Sequence, residues 1–234
     1  MIVLMDFLAL QQALDTYTAG GKVDYAAIHA AHAFDPIVQA FAEAKAPEEP
    51  KAAMAFWINA YNALTIDLVA DEWPIPSIHG LDGGKVWDTR KFVVAGRSVT
   101  LNEIENGILR PLGDPRVHSA LNCASRGCPP LAAKAFSAAT LDAQLDVQSS
   151  VWMHTTGIAI DRQHATVALS MVFDWYGEDF ATVPGPDVPG IDGEAEAAIR
   201  FAILHDPGDA PYLRGGGYTV TWTPYDWGVN SKKE

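Results

Sequence analysis

The sequence predicts an α+β fold, a single domain over residues 1–234 with a buried central helix, several surrounding helices and a mainly antiparallel sheet. Helical periodicity fills the first third of the chain. Hairpin-like β segments then alternate with further helices, the order expected when helices and an antiparallel sheet share one core. No repeat, low-complexity tract or linker-like stretch divides the 234 residues, and 49% hydrophobic against 19% charged residues supplies a core.

Asp6 to Thr18 spaces its apolar residues as an amphipathic helix, stopped by Gly20-Gly21. The opening MIVLMDFLALQQAL has no basic leader and carries Asp6, so it reads as the start of this helix rather than as a signal peptide. A second helix is expected from Asp35 to Ala46, with Asp35 as N-cap and Pro36 at the first helical position. Between Pro47 and Pro74 lies AAMAFWINAYNALTIDLVADEW, apolar on almost every side, as the buried centre of a domain is.

KVWDTRKFVVAGRSVT sets β-branched and aromatic residues on both sides of Ala95-Gly96, as in a hairpin. Leu101 to Leu112 follows as a helix, with Thr100 as N-cap and Glu103 as its capping-box partner. VHSALN reads as a buried strand and PPLAAKAFSAATLDAQLDVQSSVWM as a helix. GIAIDRQHATVALS forms a second hairpin, MVFDWYGEDF a short helix, EAEAAIRFAILH a longer one, and YTVTWTPYDWGV a last strand.

The net charge of −13 disfavours phosphate backbones and anionic membrane surfaces, so no nucleic-acid partner is expected. The acidity is spread along the chain and reads as a solvated surface. No apolar run reaches bilayer length, so no membrane insertion is expected.

Chemistry concentrates in DPRVHSALNCASRGCPPL, which holds both cysteines of the chain as C-x4-C. Three readings stay open: a disulfide closing the turn, a reactive thiol, or metal ligation. Pro129 and Pro130 suit the first turn of a helix, which would put Cys128 at a helix N-terminus, where free amides and the macrodipole favour thiolate. Arg126 would add to that if it faced the sulfur. A disulfide across so small a turn would contribute about 2 kcal/mol in the chain-entropy model. Zinc would need two further ligands, and no second C-x-x-C or H-x3-H completes a set, so no metal or cofactor is assigned.

His118 is the candidate base. Strand alternation would set His118 and Asn122 on one face, approaching the cysteine turn together. Asn59 and Asn62, in FWINAYN, sit in a helix that otherwise looks buried, where an amide must be fully bonded. They either hold neighbouring loops or, with Tyr61, line a cleft and orient His118 or a substrate. Glu105 and Arg110 are five apart, poor spacing for a helical pair, so Arg110 is expected to have another partner. Asp174 and Asp179 would do acid–base work or, more ordinarily, cap and pair ions.

Taken in order, VDYAAI, AFWINAYNALTI, VTLNEIENGILR, DPRVHSALNCASRGCPPL, VALSMVFDWYGEDF and YDWGVN resemble the bacterial domain-of-unknown-function 547 family over roughly residues 23–230. The resemblance implies functional positions at Asn59, Tyr61, Asn62, Glu105, Arg110, Arg116, His118, Asn122, Cys123, Ser125, Cys128, Trp175 and Tyr176. It also implies frequent export, hence a periplasmic or extracellular setting if a signal has been removed and a cytoplasmic one otherwise; outside the cytoplasm a disulfide is permissible. A buried helix beside a small sheet carrying a histidine is loosely similar to papain-like and transglutaminase-like architectures. There the cysteine opens the central helix, whereas the FWINAYN helix has none.

The expected activity is a cysteine-dependent hydrolase or acyl transferase for a small amide, ester or thioester, with a small-molecule or peptide-like substrate. Cys128 would attack, or Cys123 with Cys128 resolving it. His118 would be the base, Asn122 or Asn59 would orient it, and amides of the Pro-led helix would hold the oxyanion. The alternative is a non-catalytic exported binding or scaffold domain with a Cys123–Cys128 staple, its ligand cleft lined by aromatics including Trp57, Tyr61, Trp175 and Tyr176. The oligomeric state is not legible.

Overall fold

The computed structural model describes residues 7–232. The chain begins α1 (Leu8–Tyr17), β1 (Thr18–Ala19), β2 (Lys22–Val23), α2 (Tyr25–Ala31), α3 (Asp35–Glu43) and α4 (Pro50–Asp71). Two glycines at positive φ, Gly20 and Gly21, turn β1 back on β2. The helix read from Asp6 starts at Leu8 within the described residues; Asp6 itself lies outside them. In α3 the cap position falls to Phe34, which puts Asp35 itself in the first turn beside Pro36, where its charge meets the helix dipole.

α4 is the centre of the fold. Glu49 caps it by accepting from the amides of Lys51 (3.1 Å) and Ala52 (2.7 Å), and Pro50 opens it. From Met54 to Ala70 every residue except Asp67 is buried. Helices α2 and α3 pack on it, and the core they form gathers Phe34, Phe41, Phe56, Ile58 and Leu64.

The middle of the chain holds α5 (Val86–Thr89), β3 (Phe92–Val94), β4 (Arg97–Val99), α6 (Leu101–Ile104) and α7 (Val117–Ala120). The Ala95-Gly96 hairpin forms as expected, its turn held by the Phe41 and Ala42 carbonyls of α3. Its expected first strand begins late, because residues 86–89 are helical. Thr100 and Glu103 form the capping box of α6. The helix then widens into a π turn at Glu105–Leu109 and tightens to a 3-10 turn at Arg110–Leu112. Such widening brings residues five apart nearer to one side.

Two expectations around the cysteines are corrected. VHSALN is not a strand: Asp114-Pro115 start a helical turn, and amides 117 to 119 bond back to carbonyls 114 to 116. A short apolar run has too few residues for alternation to decide. PPLAAKAF is not a helix either. Residues 129–137 run without helix, and side-chain amides take over their backbone groups: Gln148 binds the Pro130 carbonyl, Gln11 spans Ala133 and Ala135, and Asn59 brackets Phe136. Helix α8 starts only at Leu141 and ends at Trp152.

The remainder is β5 (Ile158–Asp161), β6 (Thr166–Ser170), α9 (Met171–Trp175), α10 (Gly177–Phe180), α11 (Gly193–His205), α12 (Ala210–Gly215) and β7 (Thr219–Thr223). β5 and β6 pair antiparallel, and β7 returns beside β6 in parallel after the four helices α9 to α12; the other strand pairings are antiparallel. This half buries a second apolar cluster, with Trp152, Phe173, Phe180 and Phe201 in mutual ring contact. The result is an α+β fold with small sheets. No described helix is long and apolar enough to cross a membrane.

Candidate active-site cleft

The cysteine turn is held from beneath by amides. Asn62, buried in α4, accepts from the Asn122 amide (2.9 Å) and donates to the Ala120 carbonyl (2.9 Å). Asn122 donates to the Pro129 carbonyl (2.8 Å) and accepts from the Ala124 amide and the Asn230 side chain, both at 3.0 Å. Every polar atom of Asn122 is thus spent on the loop, and it does not orient His118. Asn59 lies farther along α4, bonded through both ends of its amide to Phe136, and does not orient His118 either. Both side chains satisfy the rule that a buried amide must be bonded, as loop anchors.

Beyond the turn the chain packs on the C-terminal segment. The amides of Arg126 and Gly127 donate to the Gly228 and Asp226 carbonyls. A Cβ at Gly127 would sit 2.9 Å from the Asp226 nitrogen and 3.0 Å from the Tyr225 ring, so only glycine permits this approach. Arg126 pairs with Asp226. The Ser125 carbonyl accepts the Cys128 amide (3.2 Å) and closes the turn.

Cys123 and Cys128 are joined at disulfide-bonding distance, with Cα atoms 6.3 Å apart. Since no helix follows Pro130, no macrodipole acts on Cys128. Two other donors do: the Cys123 amide and the Tyr225 hydroxyl each lie 3.0 Å from the Cys128 sulfur. Burial pushes the Tyr225 phenol well up, so it stays protonated.

His118, buried on α7, stacks on Tyr176 with ring centroids 4.3 Å apart, and its Nε2 lies 2.7 Å from Asp179 Oδ2. Asp179 also takes a two-pronged bond from Arg110, Nε at 2.6 Å and Nη2 at 3.0 Å, while Arg110 Nη1 donates to Asn106. This is the partner that the five-residue spacing of Glu105 and Arg110 left open. Burial works against ionising Asp179, but the hydrogen bonds from His118 and Arg110 outweigh it and hold the carboxyl well below the usual range. An ionised carboxylate only accepts, so Nε2 carries a proton and Nδ1 is the nitrogen left for acid–base chemistry.

Tyr61 and Tyr176 share Glu105 as a hydrogen-bonding neighbour, and both phenols are pushed up, by burial first and by that carboxylate second. These groups meet in a cleft of about 210 Å³. Its walls include Tyr61, Trp87, Glu105, His118, Cys123, Cys128, Trp175, Tyr176, Tyr225 and Trp227. Arg116 is elsewhere: it binds Asp114, Asp142 and Asp146 and borders a separate cavity of about 730 Å³. Among the described residues, the acidic or thiol group with metal-ligand spacing is Asp35, Asp67 and Asp71, not the cysteine turn.

Residues 47–153 match the model of a family described as protein of unknown function, DUF547. This stretch is a DUF547 region. No curated protein and no solved structure matches the chain. The DUF547 region supplies α4, the π turn, His118 and both cysteines, whereas Trp175, Tyr176, Asp179, Tyr225 and Trp227 follow it in sequence. The cleft therefore needs both halves of the chain. Sequence reasoning left Asp179 as one member of an acidic pair, and it missed Tyr225, Trp227, Trp87 and Asn102 as cleft residues. YDWGVN and FDWYGEDF carried the signal, as clustered aromatics beside acids.

Proposed function

We propose that this protein is a cysteine-dependent hydrolase or acyl transferase for small amides, esters or thioesters, active once the Cys123–Cys128 bond is reduced. The observation that carries this reading is that the cysteine pair and an imidazole anchored by an ionised carboxylate line one cleft. An external dithiol supplies the two electrons and two protons that open the bond and is itself left as a disulfide. The Tyr225 hydroxyl lies beside both sulfurs, and the Cys128 sulfur, which also accepts the Cys123 amide, is then the better thiolate.

In the acylation step the Cys128 thiol gives its proton to His118 Nδ1, and the thiolate attacks the carbonyl carbon. His118 returns the proton to the departing oxygen, sulfur or nitrogen as that bond breaks. Water, or an acceptor alcohol or amine, then attacks the acyl-cysteine with His118 again taking the proton, which releases the acid or the transferred product. Asp179 fixes the tautomer and stabilises the imidazolium. The Cys123 amide and the Tyr225 hydroxyl, both beside the Cys128 sulfur, would donate to the developing oxyanion.

The test is hydrolysis of p-nitrophenyl acetate by protein reduced with a phosphine, which adds no competing thiol. Turnover that needs reduction and disappears in Cys128→Ala and His118→Ala supports the reading; equal rates in all forms reject it. The closed pair itself favours a second reading, an exported binding domain stapled at its cleft. Ligand affinity that does not change on reduction, together with no turnover, would select it.

A further inference from the structure

The walls of the cleft carry a ligand class. Trp175 and Trp227 stack with centroids 5.6 Å apart, Tyr225 stands 4.5 Å from Trp227 and 4.7 Å from Trp175, and Trp87 lies 6.0 Å from Trp227. Trp175 leaves 44% of its surface in water at the mouth of this group. Glu105 is the carboxylate of the wall, and among the described residues lining the cleft none is lysine or arginine. The nearby Arg110 has its fork closed on Asp179 and its remaining nitrogen on Asn106.

Aromatic faces attract cations through their quadrupoles, and a carboxylate among them adds a full charge. An anionic ligand would meet Glu105 with no lysine or arginine in the wall to offset it, Arg110 being held over the Tyr176 ring and on Asp179. A neutral apolar ligand would strip water from that carboxylate and give nothing back. The net charge of −13 draws cations toward the surface as well. We infer that the cleft binds the alkylammonium end of a cationic substrate, its charge held between Glu105 and the rings of Trp175, Tyr225 and Trp227. This deepens the acyl-transfer reading and rests on it only for the acyl half of that substrate.

The experiment is a tryptophan-fluorescence titration of the full chain with choline and with its neutral isostere 3,3-dimethylbutan-1-ol. Choline should bind about tenfold more tightly than the isostere, the scale of a desolvated cation–π contact. Glu105→Gln should erase most of that preference. Equal affinity of the wild-type chain for the two probes overturns the inference, and that comparison stands even if the variant does not fold. An undiminished preference in a folded Glu105→Gln protein overturns it too. No thiol takes part in binding, so the two readings fail separately. Choline preference without ester turnover rejects acyl transfer alone; turnover on p-nitrophenyl acetate without choline preference rejects the cation alone.

Discussion

Replacing Asp179 by asparagine tests the most connected group of the cleft. The change keeps the shape but removes the charge that accepts from His118 at 2.7 Å and from Arg110 at 2.6 and 3.0 Å. Breaking a fully buried pair costs about 3–5 kcal/mol; with Asp179 and Arg110 side chains 23% and 26% exposed, screening brings the expected loss to about 2 kcal/mol. The pH dependence follows from a carboxyl held low in the folded state. Its stabilisation is fully present above the unfolded carboxylate value, near pH 4, and is lost as pH falls through the folded value. Urea denaturation should therefore show the full gap between wild type and variant from about pH 5 upward, narrowing in stronger acid. Nitrogen NMR of His118 should show the Nε2–H form in the wild type and a mixture of tautomers in the variant. Turnover of reduced protein should fall by about 10²–10⁴, the scale set by loss of an orienting carboxylate. A variant within about 0.5 kcal/mol of wild type, with His118 still held as Nε2–H, would refute the assignment of Asp179 as the group that fixes it.

Asp67 behaves in the opposite sense. Burial, then the charges of Asp71 and Asp35, push its carboxyl up to about 7. The folded state keeps a proton there that the unfolded chain loses near pH 4, so this group's contribution to stability declines as pH rises from about 4 to about 7. Asp67→Asn should stabilise the protein by about 2 kcal/mol at pH 8, after discounting for part exposure, and do little near pH 4; thermal melts at both pH values check it. Asn59→Ala leaves the Phe136 amide and carbonyl unbonded in the core and should cost about 2–4 kcal/mol in urea denaturation without changing choline affinity. Reduction of the cysteine pair should lower stability by about 2 kcal/mol, the loop-closure term for so short a ring; calorimetry with and without phosphine measures it.

What the sequence made legible was whatever its local signals specify. α4 announced itself through a long run of apolar residues between two prolines, and the capping box through Thr100 and Glu103. The hairpins at Ala95-Gly96 and in GIAIDRQHATVALS were legible in their alternation and turn residues, whereas Gly20-Gly21 read only as a helix stop and in fact turns β1 back on β2. The segment after Cys128 was not legible, because its alanines and leucine have helical propensity while long-range amide side chains from α1, α4 and α8 satisfy its backbone in an extended path. That competition is tertiary and leaves no local mark. The partner of His118 was hidden for the same reason: Asp179 lies 61 residues away, in a motif whose acids are as easily read as caps. The family match ends at residue 153, so it points to the thiols and the histidine but not to the aromatic half of the cleft.

The central claim is that Cys128 carries an acyl group during turnover. The direct measurement is peptide mass spectrometry after a brief pulse of p-nitrophenyl acetate, quenched in acid, on phosphine-reduced and on oxidised protein. The account predicts an acetyl group on Cys128 in reduced wild type, absent in the oxidised protein and accumulating more slowly in His118→Ala. Acetylation confined to lysines, or equal on both cysteines and unaffected by His118→Ala, would contradict it.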